Sequence, residues 1–271
     1  MKVILSRKGM DSRAGGIPSP ILPDGTLLSL PIPDGTSGKP YGKLSYKEQS
    51  YQEIIRQLHP SFDFDKNQTC HLDPDIYDGL GGRPAEWKPA FGQCEASARH
   101  LDNMGVDVGD VFLFYGMFKQ AEYQSDGTLG FVRGAPIQHI IYGYMEVGEI
   151  LREEQEISRR YPWHPHGANT NRPYNRLYLP DTYGTFRYAA PLVLTKPGQD
   201  SRRLWALPAF FAENGISISW QGENKPILKD GCAELNSACR GQEFVITTST
   251  AELQQKLADW VDSLINRGAI A

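Results

Sequence analysis

The sequence predicts an α+β fold with a mixed or barrel-like β-sheet, a few flanking helices and a C-terminal amphipathic helix. Runs of aromatic and β-branched residues, which favour strands, outnumber the helical patterns along the chain. These runs do not alternate regularly with helices, as they would in a doubly wound parallel sheet. No shift in composition divides the 271 residues, so we expect a single domain over residues 1–271.

Helical patterns occur in three segments. Ser45 and Glu48 have the spacing of a capping box, and so do Ser249 and Glu252. Apolar residues follow each box at intervals of about three or four, which is the period of one helix face. Helices are therefore predicted over 46–58, 93–104 and 249–268.

The predicted strands are short apolar runs bounded by turn residues. Residues 1–5 form the first run, and a region rich in Gly and Pro follows over 15–42. Its Pro-Asp-Gly sequences are typical of turns, because Pro fixes φ and Gly tolerates positive φ. Further strands are predicted over 110–116, 139–147, 192–194, 204–207, 216–220 and 243–246.

Composition and charge exclude several classes of protein. The chain has 28 Lys and Arg against 32 Asp and Glu, a net charge of −4, which argues against nonspecific coating of DNA. No apolar run approaches the ~20 residues that a membrane span requires. The N-terminus lacks the pattern of a signal peptide, and the 4 cysteines contain no CxxC pair. We therefore expect a cytoplasmic protein with reduced thiols and no membrane partner.

The first candidate site follows the first predicted strand. Hydroxyls, two cations and glycine backbone N–H groups in one loop are typical of phosphate or carboxylate binding. The loop matches neither GxxxxGK[ST] nor GxGxxG, and a solvated turn is the alternative interpretation. Asp11 in this loop is also a catalytic candidate. The predicted phosphate-binding residues are Ser6, Arg7, Lys8, Gly9, Ser12, Gly15 and Gly16.

The second candidate site is the sequence His-Leu-Asp-Pro-Asp. Alternation in an extended segment places His71, Asp73 and Asp75 on one side, and Pro74 favours extended geometry at Asp73. Three such groups either bind a divalent metal or share acid–base chemistry. A surface turn whose carboxylates cap backbone N–H groups is the alternative. The sequence fixes neither a metal nor a cofactor.

The third candidate site is a polar loop with two histidines, His164 and His166, separated by one proline. A lone HxH pair is weak support for zinc. Aromatic, His, Asn and Arg side chains together also suit stacking on a base and hydrogen bonding to its edge. Nucleophilic catalysis finds little support, because no GxSxG motif is present.

Two stretches of the sequence resemble known families. Residues 1–12 and 15–25, together with the His-Leu-Asp-Pro-Asp sequence at 71–75, resemble the nucleotide modification associated domain 3 family. This resemblance implies that residues 1–271 form one such domain, associated with nucleotide or DNA base modification. It implies no particular reaction.

Residues 99–150 are similar to the PUA-like group. Gly109-Asp110 precedes one strand and 141–147 resembles the partner strand, although residues 116–138 form a long insertion. This similarity implies a barrel-like subregion over 99–150 that holds a base. Tyr115 within this subregion, and His164 and His166 of the third candidate site, are predicted to contact a base.

Three functions follow from these observations. The leading hypothesis is a protein that binds a phosphate-bearing nucleotide, or DNA with modified bases, through the Ser-Arg-Lys-Gly loop. Its chemistry, acid–base or metal, would lie at His71, Asp73 and Asp75. A non-catalytic reader of modified bases and an enzyme acting on an anionic metabolite are the alternatives. In the leading hypothesis, Arg7→Ala or Lys8→Ala abolishes nucleotide binding and leaves the melting temperature nearly unchanged.

Overall fold

The structure is a computed structural model that describes residues 1–35, 38–64, 69–168, 171–239 and 241–268. It confirms the α+β class: the central feature is a mixed sheet curled into a half-barrel, with helices around it. The described strands are β1 (Val3–Arg7), β2 (Ser19–Ile21), β3 (Ile32–Pro33), β4 (Lys39–Pro40), β5 (Ser45–Tyr46), β6 (Gln49–Ser50), β7 (Thr69–His71), β8 (Leu80–Gly81), β9 (Phe91–Gln93), β10 (Val111–Tyr123), β11 (Leu129–Phe131), β12 (Gln138–Leu151), β13 (Arg176–Thr185), β14 (Leu204–Leu207), β15 (Ile216–Ile218), β16 (Ile227–Lys229), β17 (Cys232–Asn236) and β18 (Glu243–Thr248).

The helices flank this sheet. Short 3₁₀ turns at Tyr41–Lys43, Ala190–Leu192 and Ala209–Ala212 connect other elements. Within the described ranges, no helix is both long and apolar enough to cross a membrane. The α-helices are α1 (Tyr51–Leu58), α2 (Glu95–Asn103), α3 (Glu154–Arg160), α4 (Pro165–Ala168) and α5 (Ala251–Gly268).

The main sheet has the strand order β15-β18-β1-β10-β12-β13-β9, and β2 and β11 also pair with β10. β1 is parallel to β10, with Arg7 opposite Tyr115, and antiparallel to β18. The pairing of β10 with β12 shifts register between Phe114 and Tyr115. Such irregularities bend and twist a strand, which accounts for the curl of the sheet.

One hydrophobic core extends from β1 to α5. Val3, Ile4 and Leu5 are all fully buried, as expected for a strand in the middle of a sheet that is covered on both faces. A smaller cluster around Ile157 and Leu177 packs α3 against β13. The prediction of a single domain over residues 1–271 and that of a barrel-like subregion over 99–150 both stay predictions.

Several predicted boundaries were wrong. Residues 45–46 belong to β5, and the first helix begins after Ser50. The true capping box is Ser50 with Glu53: the Ser50 hydroxyl accepts from the Glu53 N–H at 3.2 Å, and the Glu53 carboxylate accepts from the Ser50 N–H at 2.8 Å. At the last helix, Thr250 rather than Ser249 accepts from the N–H of Leu253.

Strand assignments also differ from the prediction, as two segments illustrate. The segment predicted as a strand over 192–194 begins in the 3₁₀ turn Ala190–Leu192, which contains Pro191. Strand β13 was not predicted, because Pro180 and Gly184 interrupt its apolar pattern. Its pairing with β12 shows register shifts in this region.

Candidate functional site

A cavity of about 420 Å³ lies at the carboxyl end of β1, and we refer to it as the large cavity. β1 is in the middle of the main sheet, so the loop after it leaves the sheet at the cavity wall. The segment after β7 and the short helix α4 supply further lining residues. The lining joins parts of all three predicted sites: Arg7, Lys8, Gly9 and Asp11; His71 and Asp73; and His166.

Backbone contacts position the titratable residues of this cavity. His71 ends β7, opposite Ile32 of β3. The Asp73 Oδ1 accepts a hydrogen bond from the Gly92 N–H of β9 at 2.8 Å. A Cβ at Gly92 would lie 2.2 Å from the His166 ring. The glycine therefore lets this ring pack directly on β9.

Three side chains form a cluster in the large cavity, in which one atom of each faces the other two: His71 Nε2, Asp73 Oδ2 and His166 Nε2. The Nε2 of His71 is 3.7 Å from the Asp73 Oδ2, and the Nε2 of His166 is 3.8 Å from the same oxygen. The two imidazole rings are 5.4 Å apart and nearly perpendicular. All three donor atoms lie within 4.8 Å of one another, a separation at which they could hold one metal ion.

Hydrogen bonds on the outer side of each ring set the tautomers. The Asn175 Nδ2 donates to the His166 carbonyl at 2.9 Å, which fixes Asn175 Oδ1 as the acceptor for His166 Nδ1–H at 2.6 Å. The His71 Nδ1 donates to the Asp34 Oδ2 at 3.1 Å. In its neutral form, each ring therefore has its Nε2 lone pair on the side that faces Asp73.

His164 has a different position from His166. It is fully buried and does not line the large cavity. Its Nδ1 accepts from the His166 backbone N–H at 3.2 Å, so its Nε2 carries the proton and faces the Asp73 Oδ1 at 3.5 Å. His164 thus supports the Asp73 carboxylate from behind, and the structure does not place it where a base in the cavity would contact it.

The surroundings shift the pKa values of the three side chains of the cluster by different amounts and in different directions. Burial raises the pKa of Asp73, but the favourable interactions of its carboxylate with the neighbouring His164 and His71 outweigh it and hold the pKa well below its usual range. Burial lowers the pKa of His166 to about 3, with Asp73 opposing the shift. Burial also lowers the pKa of His71, yet Asp34 and Asp73 reverse this and raise it overall. An ionised carboxylate therefore lies beside a neutral His166.

Lys8 pairs with a residue that the sequence did not indicate. Its Nζ lies 3.0 Å from the Glu243 Oε1, with the two side chains 9% and 1% exposed, and 4.6 Å from the centre of the Phe91 ring. Gln93 also donates to this carboxylate. The charge of Lys8 is therefore neutralised inside the protein.

A second cavity of about 160 Å³, the small cavity, shares Arg7, Lys8 and Asp11 with the large one. Arg202 donates to the Ser12 hydroxyl at 3.0 Å, and Arg203 donates to the Ser237 carbonyl at 2.9 Å. In the described part of the chain, no carboxylate oxygen lies within 4.0 Å of a guanidinium nitrogen of the four arginines that line it: Arg7, Arg13, Arg202 and Arg203.

The side chains of Tyr115 and His139 form part of the wall of the small cavity. Tyr115, predicted to contact a base, lines this cavity and is almost completely buried against His139 and Trp205. Burial lowers the pKa of His139 to about 3, and Arg202 and Arg7 lower it further. The four arginines in the lining make the region electropositive.

Asp75 is not brought together with His71 and Asp73. Its carboxylate pairs with Arg83 and accepts from the Trp87 indole N–H at 2.8 Å. Its backbone pairs with Ala90. These are the contacts of a buried structural ion pair, and Asp75 does not line either cavity.

The remaining loop residues mainly shape the turn. Asp11 Oδ1 accepts from the Arg13 and Ala14 N–H groups at 2.7 and 2.9 Å, and its carbonyl accepts from Gly16. Gly15 has φ of +84°, and a Cβ there would meet Met10. The Ser6 hydroxyl is buried with no hydrogen-bond partner among the described residues. Neither cavity is lined by Ser6, Gly15 or Gly16.

The sequence did not indicate several residues that line the two cavities or pair with their lining. Asp34 was part of a Pro-Asp-Gly turn, and Glu243 was included in an otherwise apolar strand. A charged residue in such a strand was the available signal for Glu243. The adjacent cations Arg202 and Arg203 were a comparable signal for the small cavity.

The fold and the cavities define an α+β protein in which histidines, a buried aspartate and basic side chains line a cavity at the carboxyl end of β1. A family model described as nucleotide modification associated domain 3 matches residues 2–247. The chain belongs to this family, as its sequence resemblance predicted, and is thereby associated with nucleotide modification. No curated protein and no solved structure was found to match, and the PUA-like similarity stays a prediction.

Proposed function

We propose that this protein binds a phosphate-bearing nucleotide, free or within DNA, across both cavities and modifies it at His71, Asp73 and His166. One observation carries this proposal: Arg7 and Lys8 line both the cation-rich small cavity and the large cavity that contains the histidines. A single ligand can therefore contact the arginines and the cluster together. The cytoplasmic location predicted from the sequence is part of the same proposal.

The sizes and charges of the two cavities suit the two ends of a nucleotide. The large cavity, at about 420 Å³, falls within the roughly 300–1,000 Å³ of ordinary ligand sites, and we assign the base to it. The small cavity carries guanidinium groups without a carboxylate partner among the described residues. Guanidinium forks match phosphate oxygens in pairs, and we assign the phosphate to this cavity.

Catalysis is favoured over reading of the base. An ionised, buried Asp73 is a costly arrangement, because burial opposes the charged form of a carboxyl group, and the same burial keeps the adjacent His166 neutral. Such clusters of perturbed groups in a cavity are typical of reaction centres. Binding of a base alone would require stacking and hydrogen bonds but no such cluster.

The phosphate assignment is tested by calorimetric titration of the full chain with a nucleoside, its 5′-monophosphate, inorganic phosphate and a short DNA. We expect Arg202→Ala to weaken the monophosphate roughly 10–150-fold, the effect of losing a hydrogen bond to a charged group. The nucleoside should be unaffected. Arg133→Ala, an exposed arginine outside both cavities, is the matched control.

The outcomes distinguish the alternatives. Binding of DNA but not of the free monophosphate would locate the substrate in a polynucleotide, with a salt dependence that decreases in Arg202→Ala. Binding of simple anions with no nucleotide binding would favour the metabolite enzyme. If Asp73→Asn binds DNA as the wild type does, and neither changes the mass of any nucleoside in the digested DNA, the protein is a reader.

A further inference from the structure

We infer that His71, Asp73 and His166 bind a divalent transition-metal ion through His71 Nε2, Asp73 Oδ2 and His166 Nε2. This inference goes beyond the proposed function, because metal binding can be measured without any nucleotide. It rests on the geometry of the donor atoms and on the hydrogen bonds that orient them.

The distances between the donor atoms suit one small ion. The two histidine nitrogens are 3.7 and 3.8 Å from the Asp73 Oδ2, which is too long for a hydrogen bond. Donors bound at ~2.1 Å to a tetrahedral ion are about 3.4 Å apart. The two histidine–aspartate distances are within a few tenths of an ångström of this spacing, and all three donor atoms lie within 4.8 Å of one another.

The second shell of residues prepares both histidines as ligands. Metal-binding histidines usually donate the other ring N–H to a carboxylate or carbonyl oxygen, which fixes the tautomer and the ring orientation. Asp34 accepts from His71 in this way at 3.1 Å, and Asn175 accepts from His166 at 2.6 Å. Acid–base chemistry alone would not require both rings to present their lone pairs to the same carboxylate oxygen.

The contacts of the Asp73 carboxylate also direct one of its oxygens, Oδ2, toward the two histidines. The Asp73 Oδ1 accepts the Gly92 N–H at 2.8 Å and faces the protonated Nε2 of His164. Oδ2 is thereby left to the two histidines. His164 cannot be a fourth ligand in this arrangement, since its Nδ1 already accepts a backbone N–H.

Three protein ligands beside a cavity leave coordination positions open for water or substrate, as in catalytic metal sites. Two imidazoles and one carboxylate favour zinc, iron(II), cobalt(II) or manganese(II) over magnesium and calcium, which prefer oxygen donors. A bound ion there would supply Lewis-acid activation of a ligand in the large cavity.

The test uses the full chain after treatment with a chelator and dialysis, titrated with Zn²⁺ and, in parallel, with Co²⁺ and Mg²⁺. We expect one Zn²⁺ or Co²⁺ per chain, with a visible Co²⁺ absorption spectrum, and no binding of Mg²⁺ at the same concentrations. Absence of a Zn²⁺ or Co²⁺ complex in the wild-type chain up to millimolar metal overturns the inference, whatever the variants do.

Substitutions of the proposed ligands test where the ion binds. His166→Ala and Asp73→Ala should lose the site, and His59→Ala, which removes a histidine outside both cavities, should keep it. Asn175→Ala should weaken binding about 10–100-fold, the usual effect of losing a second-shell partner, and should change the Co²⁺ spectrum. Retention of one tight ion in His166→Ala would assign the metal elsewhere and refute the inference.

Failure of the proposed function is distinguishable from failure of this inference. Arg202→Ala should bind Zn²⁺ as the wild type does, because Arg202 lines the small cavity alone. If nucleotides fail to bind and Zn²⁺ binds at His166, only the proposed function is wrong. If nucleotides bind and no metal ion does, only the metal-binding inference is wrong.

Discussion

Replacement of Lys8 by methionine separates a structural role from a ligand-binding role. The sequence pattern predicts that this cation holds a phosphate and contributes little to stability. In the structure, the Lys8 Nζ is 3.0 Å from Glu243, and the two side chains are 9% and 1% exposed. Lys8→Met keeps most of the aliphatic chain and removes the ammonium, so Glu243 is left as a buried charge.

The expected loss of stability follows from this burial. Breaking a buried ion pair by removing one partner costs about 3–5 kcal/mol, because the other charge stays buried without compensation. The contact of the Lys8 ammonium with the Phe91 ring, at 4.6 Å, is lost as well. For a chain of this size, about 2–4 °C of melting temperature corresponds to 1 kcal/mol. We therefore expect a decrease of roughly 6–20 °C.

The assay is thermal unfolding by calorimetry, with urea unfolding at pH 7 as a second measurement. Arg7→Met is the matched control: it removes the same charge one position earlier, from a residue with no carboxylate within 4.0 Å among those described. It should cost less than about 1 kcal/mol. The double variant Lys8→Met with Glu243→Gln should recover part of the loss, since no charge then stays buried. Equal melting temperatures for Lys8→Met and Arg7→Met would refute the reasoning.

Three further predictions concern other parts of the two cavities and their surroundings. The folded protein keeps His139 neutral down to a pKa of about 3, whereas the unfolded chain binds a proton below about pH 6.5. Stability should therefore decrease as the pH falls from about 6.5 toward 3, by at most ~1.4 kcal/mol per pH unit from this residue. Urea unfolding at pH 7 and pH 5 should show a smaller decrease in His139→Asn, and an equal decrease would contradict the assignment. Gly92→Ala places a Cβ 2.2 Å from the His166 ring. This substitution should lower the free energy of unfolding by about 1–3 kcal/mol and weaken Zn²⁺ binding. Gly79→Ala is the control, because a Cβ there meets nothing within 4 Å, and it should have neither effect. Asp75→Asn leaves Arg83 without its buried partner and should destabilise by about 3–5 kcal/mol, with Zn²⁺ affinity unchanged in the folded protein; full stability with loss of nucleotide modification would instead make Asp75 catalytic.

The sequence alone predicted the α+β class, the family and most of the long strands. These features depend on neighbouring residues. An apolar run such as Val3–Leu5 favours a strand covered on both faces, and the apolar stripe of α5 favours a helix with one buried face. The sequence also selected Arg7, His71, Asp73 and His166, because these residue types in this spacing suit anion binding, metal binding or acid–base chemistry, with structural turns as the alternative.

Only the tertiary structure decided what these side chains contact. Asp73 and Asp75 are two residues apart and chemically identical, yet Asp73 faces two histidines and Asp75 pairs with Arg83. Arg7 and Lys8 are adjacent, but Lys8 is neutralised by Glu243, which is 235 residues away. Local backbone geometry and the period of burial can be predicted from a few neighbouring residues. The partner of a side chain cannot, because it depends on which distant segments the topology of the sheet brings to the same place.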